Sequence, residues 1–165
     1  MTFKIRDIQA QDNTRMAEII RQVLTEFGAN RPGFAWTDPE IDTLFQAYGK
    51  PGSVYLIATV DDAVVGGGGI AAFPCEYPQI CELQKMYVLP EFRGRGIGTY
   101  LLKQLLKVAQ DQHYQGCYLE TFGPMQGAIR LYETLGFTRL SQPLGNSGHC
   151  ACDRPYLLWF NPPRA

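Results

Sequence analysis

A chain of 165 residues and 18.5 kDa has room for one domain with a continuous core. Its 45% apolar and 19% charged residues exclude wholesale disorder. Fifteen basic residues against sixteen acidic ones lack the basic excess of a nucleic-acid binder.

The first strand is expected at Thr2–Gln9. Asp12 or Asn13 then caps a helix to about Phe27, with Met16, Ile19, Ile20, Val23, Leu24 and Phe27 at the spacing of one buried face. Gly28 stands where a helix-ending glycine belongs. Residues 29–36 read as a loop, and a second helix is expected from Pro39 to about Tyr48. Strands at Ser53–Val60 and Ala63–Phe73 flank a tight turn at Asp61-Asp62. A third strand, Ile80–Val88, is closed by Pro90.

The period then lengthens. Gly98–Gln112 reads as a helix, Cys117–Thr121 as a strand, and Pro124 to Leu135 as a helix before Gly136. Phe137–Leu140 and Tyr156–Phe160 are the last expected strands. The order βααβββαβαββ predicts a single α/β domain over residues 1–165: one mixed, mostly antiparallel twisted sheet flanked by helices.

The opening residues are charged too early for a signal peptide, and no apolar run approaches the ~20 residues of a membrane span. The five scattered cysteines suggest no disulfide framework. A cytoplasmic protein with no membrane partner is therefore expected. The sequence His149-Cys150-Ala151-Cys152 lacks the second ligand pair of a structural zinc site, so no metal is expected.

Seven of the seventeen glycines lie in two short stretches, Gly66–Gly69 and Gly94–Gly98. In the second, Gly94, Gly96 and Gly98 join a strand to a helix through a sharp turn. Its backbone N–H groups point into one concavity at a helix N-terminus, where the peptide dipoles favour an anion. Arg93 and Arg95 add positive charge suited to phosphate oxygens. The stretch reads as a diphosphate cradle. Thr99 breaks a dinucleotide fingerprint, and no Gly-Lys-Ser/Thr ending makes it a P-loop. Four glycines inside a strand, Gly66–Gly69, predict a close approach of substrate or another element to the backbone.

Arg93-x-x-Gly96-x-Gly98, preceded by Met86-Tyr87-Val88-x-Pro90, resembles the acyl-CoA motif of the GNAT superfamily of acetyltransferases. Ala128-Ile129-Arg130-Leu131-Tyr132-Glu133-Thr134-Leu135-Gly136-Phe137 resembles that family's second signature. The resemblance implies the acyl-CoA N-acyltransferase fold and acetyl-CoA as co-substrate. It implies that Met86, Tyr87 and Val88 pair with the pantetheine arm, and that a backbone N–H near Val88 stabilises the oxyanion. Arg93, Gly94, Arg95, Gly96, Ile97, Gly98 and Thr99 would hold the pyrophosphate. It also implies a small-molecule amine as partner and is compatible with a homodimer. Many relatives carry Asn where this chain has Met125, so a side-chain contact to CoA there is in doubt.

Two residues carry the expected chemistry. Tyr132 matches the tyrosine that many members place beside the CoA sulfur, where a phenol protonates the departing thiolate. Glu82 is the candidate base. Alternation puts it on one face with Ile80, Gln84, Met86 and Val88, partly apolar surroundings that raise a carboxyl pKa. Acceptor specificity is expected from Arg31, Phe34 and Trp36 in one loop, and from Asn146, His149, Cys150, Cys152 and Arg154 in another. Further readings share these residues: a non-catalytic acyl-CoA sensor, a nucleotide-phosphate-binding regulatory domain, acetylation of a protein or peptide amine, and a covalent acyl carrier at Cys150 or Cys152.

Overall fold

The computed structural model describes residues 2–161. Its first strand, β1 (Phe3–Asp7), leads through a short 3-10 turn into helix α1 (Asn13–Glu26). Met16, Ile19, Ile20, Val23 and Leu24 of α1 are all buried, so the expected face is the observed one. Asp12, at the helix start, is 4% exposed and accepts both guanidinium N–H groups of Arg6, at 2.7 and 2.9 Å. Gly28, with φ +71°, ends α1, and the Ala29 N–H reaches back to the Leu24 carbonyl at 2.8 Å.

The helix expected over residues 39–48 is mostly something tighter. Pro39–Thr43 is 3-10, and only Leu44–Ala47 makes an α-turn, α2. Ile41 and Leu44 are both buried at i and i+3, positions that eclipse at three residues per turn. The Asn13 side chain of α1 accepts the Phe45 N–H at 2.9 Å and so caps this turn from a neighbouring helix.

Strands β2 (Val54–Val60) and β3 (Ala63–Ala72) form the expected hairpin, with Asp61 and Asp62 at φ +49° and +64°. β4 (Ile80–Val88), helix α3 (Ile97–Asp111), β5 (Gly116–Thr121), helix α4 (Gln126–Thr134), β6 (Thr138–Arg139) and β7 (Arg154–Trp159) follow. Residues 137–140 keep only two residues in the sheet as β6, paired with β7 at its edge. One seven-stranded sheet results, in the order β1-β2-β3-β4-β5-β7-β6, antiparallel except between β4 and β5. α1 and α2 pack on one face and α3 and α4 on the other. Among the described residues no helix is long and apolar enough to cross a membrane.

The run Gly66–Gly69 lies in β3, and the close approach it predicts is made by other elements of the protein. A Cβ at Gly67 would stand 2.8 Å from the Leu56 carbonyl oxygen and 2.8 Å from the Tyr55 ring. One at Gly69 would meet the rings of Tyr55 at 2.7 Å and Tyr48 at 2.8 Å. The absent side chains let Tyr55 lean over β3, where its hydroxyl donates to the Lys85 carbonyl of β4 at 2.8 Å.

That bond sits at a bulge. Gly67 pairs with Tyr87 and Gly69 with Gln84, so Lys85 and Met86 together stand opposite Gly68. Lys85 has φ +48°. The extra residue reverses the alternation of β4 beyond this point. Glu82 therefore shares its face with Gln84, Lys85 and Tyr87, whereas Met86 packs toward α3 and Val88 toward Val60 and Val65. This corrects the expected grouping of Met86 and Val88 with Glu82.

Candidate active site

β4 and β5 are paired only at Ile80, Cys81 and Glu82. Beyond Glu82 the two strands diverge, and a cleft of about 490 Å³ opens between β4, the turn after it and α4. Met86, Tyr87, Val88, Arg93, Gly94, Gly96, Gly98 and Thr99, all singled out in the sequence, line it. Gly127, Ala128, Arg130 and Leu131 of α4 form the opposite wall.

The turn at the mouth of the cleft has the geometry of an anion cradle. Gly94 and Gly96 have φ of +71° and +84°, and a Cβ on either would meet no protein atom within 4 Å. The first α3 residue whose N–H finds the helix ladder is Tyr100, which donates to the Gly96 carbonyl at 3.0 Å. The N–H groups of Ile97, Gly98 and Thr99 precede that bond and face the opening as helix ends do. Ile97 contributes backbone only, since its side chain is buried.

Arg93 also ties the cleft to α1. Its guanidinium makes a paired contact with Glu26 of α1 at 2.7 and 2.8 Å, and its Nε donates to the Val88 carbonyl at 2.9 Å. It lies over the Phe27 ring as well. The side chain thus fastens the end of β4 to α1 while lining the cleft. Arg95 lies over the Phe92 ring.

A second, smaller cavity of about 60 Å³ adjoins the cleft, with Tyr87 and Met125 lining both. Glu82 stands at its base, 6% exposed. Burial raises the Glu82 carboxyl to about 7, despite the hydrogen bond from Gln84 and the nearby charges of His149 and Lys85. The Gln84 amide donates to Glu82 at 2.5 Å and is itself held by the Tyr48 hydroxyl at 2.6 Å. A carboxyl that gains and loses its proton near neutrality is equipped to accept one from an incoming group.

Around Glu82 the structure assembles charges that strand periodicity did not reveal. Lys85 Nζ meets Asp38 at 2.8 Å and Glu40 at 2.9 Å. Asp38 also takes His149 Nε2, at 2.9 and 3.0 Å to its two oxygens. Burial works against the His149 charge, but the hydrogen bond and charge of Asp38 outweigh it and raise the imidazole pKa. Glu120, on β5, accepts the Tyr118 hydroxyl at 2.5 Å and the Ser147 hydroxyl. A strand interrupted by glycines was a signal for the bulge that turns Lys85 inward. Asp38 directly precedes the helix expected from Pro39, and its position in the sequence does not connect it to Glu82.

Tyr132 is buried in the core formed with α3, its ring 5.8 Å from Phe137 and 6.5 Å from Tyr156. No fully buried side-chain oxygen among the described residues lacks a partner. The Tyr132 hydroxyl has none, so its 6% exposure includes that oxygen. Burial raises the phenol pKa, which keeps the proton on it at neutral pH. Burial also pushes the Cys152 thiol up to about 12, which leaves little thiolate for covalent catalysis. Cys150 is exposed. No three His, Cys, Asp or Glu side chains come together as a metal site among the described residues.

The Acetyltransferase (GNAT) family matches residues 16–137, most of the chain and both motifs. The chain belongs to the GNAT acetyltransferase family. It is 41% identical over 150 residues to the uncharacterized N-acetyltransferase YjgM of Escherichia coli K12, covering 90% of each chain. A GNAT-family acetyltransferase of Staphylococcus aureus Mu50 has the same fold, with TM-score 0.84 and 21% identity over 97% of this chain and 100% of that one. A phosphinothricin acetyltransferase of Sinorhizobium meliloti, solved with acetyl-CoA, gives TM-score 0.73 and 25% identity over 95% of this chain and 86% of its own. This GNAT chain is an N-acetyltransferase with the acyl-CoA N-acyltransferase fold.

Proposed function

We propose that the chain moves an acetyl group from acetyl-CoA to a primary amine of a small, amino-acid-like acceptor, by direct transfer with both substrates bound. The observation that carries this reading is the junction of two cavities at Tyr87 and Met125: an open cleft with an anion cradle on one side, and buried Glu82 on the other. Acetyl-CoA supplies an activated thioester. Gly94, Arg95, Gly96, Ile97, Gly98 and Thr99 hold its diphosphate by backbone, and the β4 edge at Met86, Tyr87 and Val88 receives its pantetheine arm. The cleft and the open space at Gly94 and Gly96 suit that ligand.

Glu82 takes the proton from the acceptor's ammonium, for which a pKa about 7 is suited. Tyr132, held protonated by burial, gives its proton to the departing thiolate. A small acceptor is favoured because the cavity at Glu82 is much smaller than the cleft beside it, about 60 against about 490 Å³. The neighbour named as a phosphinothricin acetyltransferase supports a small acceptor as well.

The test is release of CoA thiol from acetyl-CoA across a panel of amino acids, polyamines, aminoglycosides and peptides. Turnover with amino-acid-like amines is expected. Tight binding of acetyl-CoA with no turnover on any amine would favour the sensor reading.

A further inference from the structure

The acceptor pocket is closed by an internal ion pair. His149 belongs to the loop of residues 140–153 before β7, and Asp38 to the loop after α1. A second bond joins the same loops, from the Ala151 N–H to the Gly33 carbonyl at 3.0 Å. Asp38 is anchored from below by Lys85, whose side chain is 2% exposed at the β4 bulge. One carboxylate therefore ties three elements together above Glu82. With the loops joined, the pocket holds about 60 Å³, against about 490 Å³ in the cleft beside it.

We propose that Asp38 and His149 form a releasable joint between the two acceptor loops, positioning them over Glu82 and parting to admit the acceptor. Both are positioning residues, acting through the loops that carry them. The proposal rests on reading this pocket as the acceptor site. The groups facing the imidazole are Asp38 from the loop after α1, and Lys85 and Glu82 from β4. On its own loop Ser147 accepts the backbone N–H of His149 and donates to Glu120 of β5. Of these, Asp38 is in direct contact, so the joint is strongest while the imidazole is protonated. Because Asp38 and Glu82 favour that proton, the joint holds to a higher pH than an ordinary histidine would allow, and it loosens above that.

Two cysteines of the same loop read the opening directly. Cys152 lines the pocket and is partly buried, whereas Cys150 is exposed. Iodoacetamide labelling of the intact protein, quantified by peptide mass, gives the ratio of Cys152 to Cys150 modification. Opening of the joint both exposes Cys152 and relieves the burial that suppresses its thiolate, so the ratio rises as the loops part. In the unmodified protein it should be low at pH 6 and rise toward pH 8. In His149→Gln and Asp38→Asn it should be raised at pH 6 by roughly tenfold, the factor equivalent to 1.4 kcal/mol. In His149→Lys, which keeps a cation at all these pH values, it should stay low throughout.

A ratio unchanged in both His149→Gln and Asp38→Asn overturns the joint. A ratio that stays flat with pH in the unmodified protein while those variants are raised overturns its dependence on the imidazole proton. Thermal midpoints of the variants, measured alongside, separate loop release from general unfolding. Labelling needs no acceptor, so it decides the joint independently of the thiol-release panel that decides the acceptor reading.

Discussion

The hydroxyl of Tyr55 crosses a neighbouring strand to bond the carbonyl of Lys85 at 2.8 Å, and the glycines of β3 are what make that crossing possible. The bond fixes the bulge, the bulge reverses β4, and Lys85 and Tyr87 then face the pocket that holds Glu82. A run of residues without side chains thus determines that Lys85 and Tyr87 face the same pocket as Glu82.

Substituting those glycines tests the relationship. Gly67→Ala places a methyl 2.8 Å from the Leu56 backbone oxygen, which has no room to withdraw. It should cost about 1–3 kcal/mol in denaturant unfolding, as overpacking does. Gly127→Ala, in α4, meets nothing within 4 Å and should cost little or nothing. Equal losses at the two positions would contradict the packing account.

Tyr55→Phe removes one oxygen and leaves the Lys85 carbonyl without that donor. The expected loss is about 1–3 kcal/mol for a buried group left unpaired. Activity should fall further than stability suggests, because the bulge positions the β4 side chains. A stable variant with full turnover would show that the bulge holds without this bond.

Gly96→Ala separates cofactor binding from folding. A Cβ there meets no protein atom, and only the backbone at φ +84° is strained, at about 1–2 kcal/mol. The KM for acetyl-CoA should rise at least roughly tenfold, with kcat much less affected, as loss of ground-state binding requires. An unchanged KM would remove the cradle from the diphosphate site.

Tyr132→Phe should lower kcat by ~10²–10⁴-fold, the usual worth of a general acid, with CoA affinity nearly intact. The core contacts with Phe137 and Tyr156 involve the ring, so stability should change little. Undiminished turnover at saturating acetyl-CoA would exclude the acid role.

Much of this architecture was legible in the residues. Apolar spacing in α1 and α3, the two-residue turn at Asp61-Asp62 and the glycines at 94, 96 and 98 each act locally, and each reads correctly. The 3-10 segment at Pro39–Thr43 did not, because it depends on burying Ile41 and Leu44 together against other elements. Lys85 was missed for a related reason. Strict alternation sends it away from Glu82, and only tertiary contact between Tyr55 and the β3 glycines reverses that. The contact of Arg93 with Glu26 carried no local signal, because the two lie 67 residues apart in sequence.

Glu82 also links activity to stability. Its folded pKa of about 7 lies above the ordinary 4.5, so the folded protein retains a proton that the unfolded chain releases. This contribution is complete below 4.5 and is lost as pH rises through 7. Glu82→Gln, neutral throughout, should match the unmodified protein near pH 4.5. By pH 8 it should be more stable, by at most on the order of 3 kcal/mol at 1.36 kcal/mol per pK unit. Equal stability at pH 8 would mean that Glu82 is not the buried, perturbed carboxyl described.

The most direct test of the central claim is the pH dependence of kcat/KM for an accepted amine, in the unmodified enzyme and in Glu82→Gln. With Glu82 as base, the unmodified profile should fall on the acid side with a midpoint near 7. Glu82→Gln should lose that limb and about 10²–10⁴-fold of the rate at pH 8. A variant that keeps both the limb and the rate would contradict the assignment.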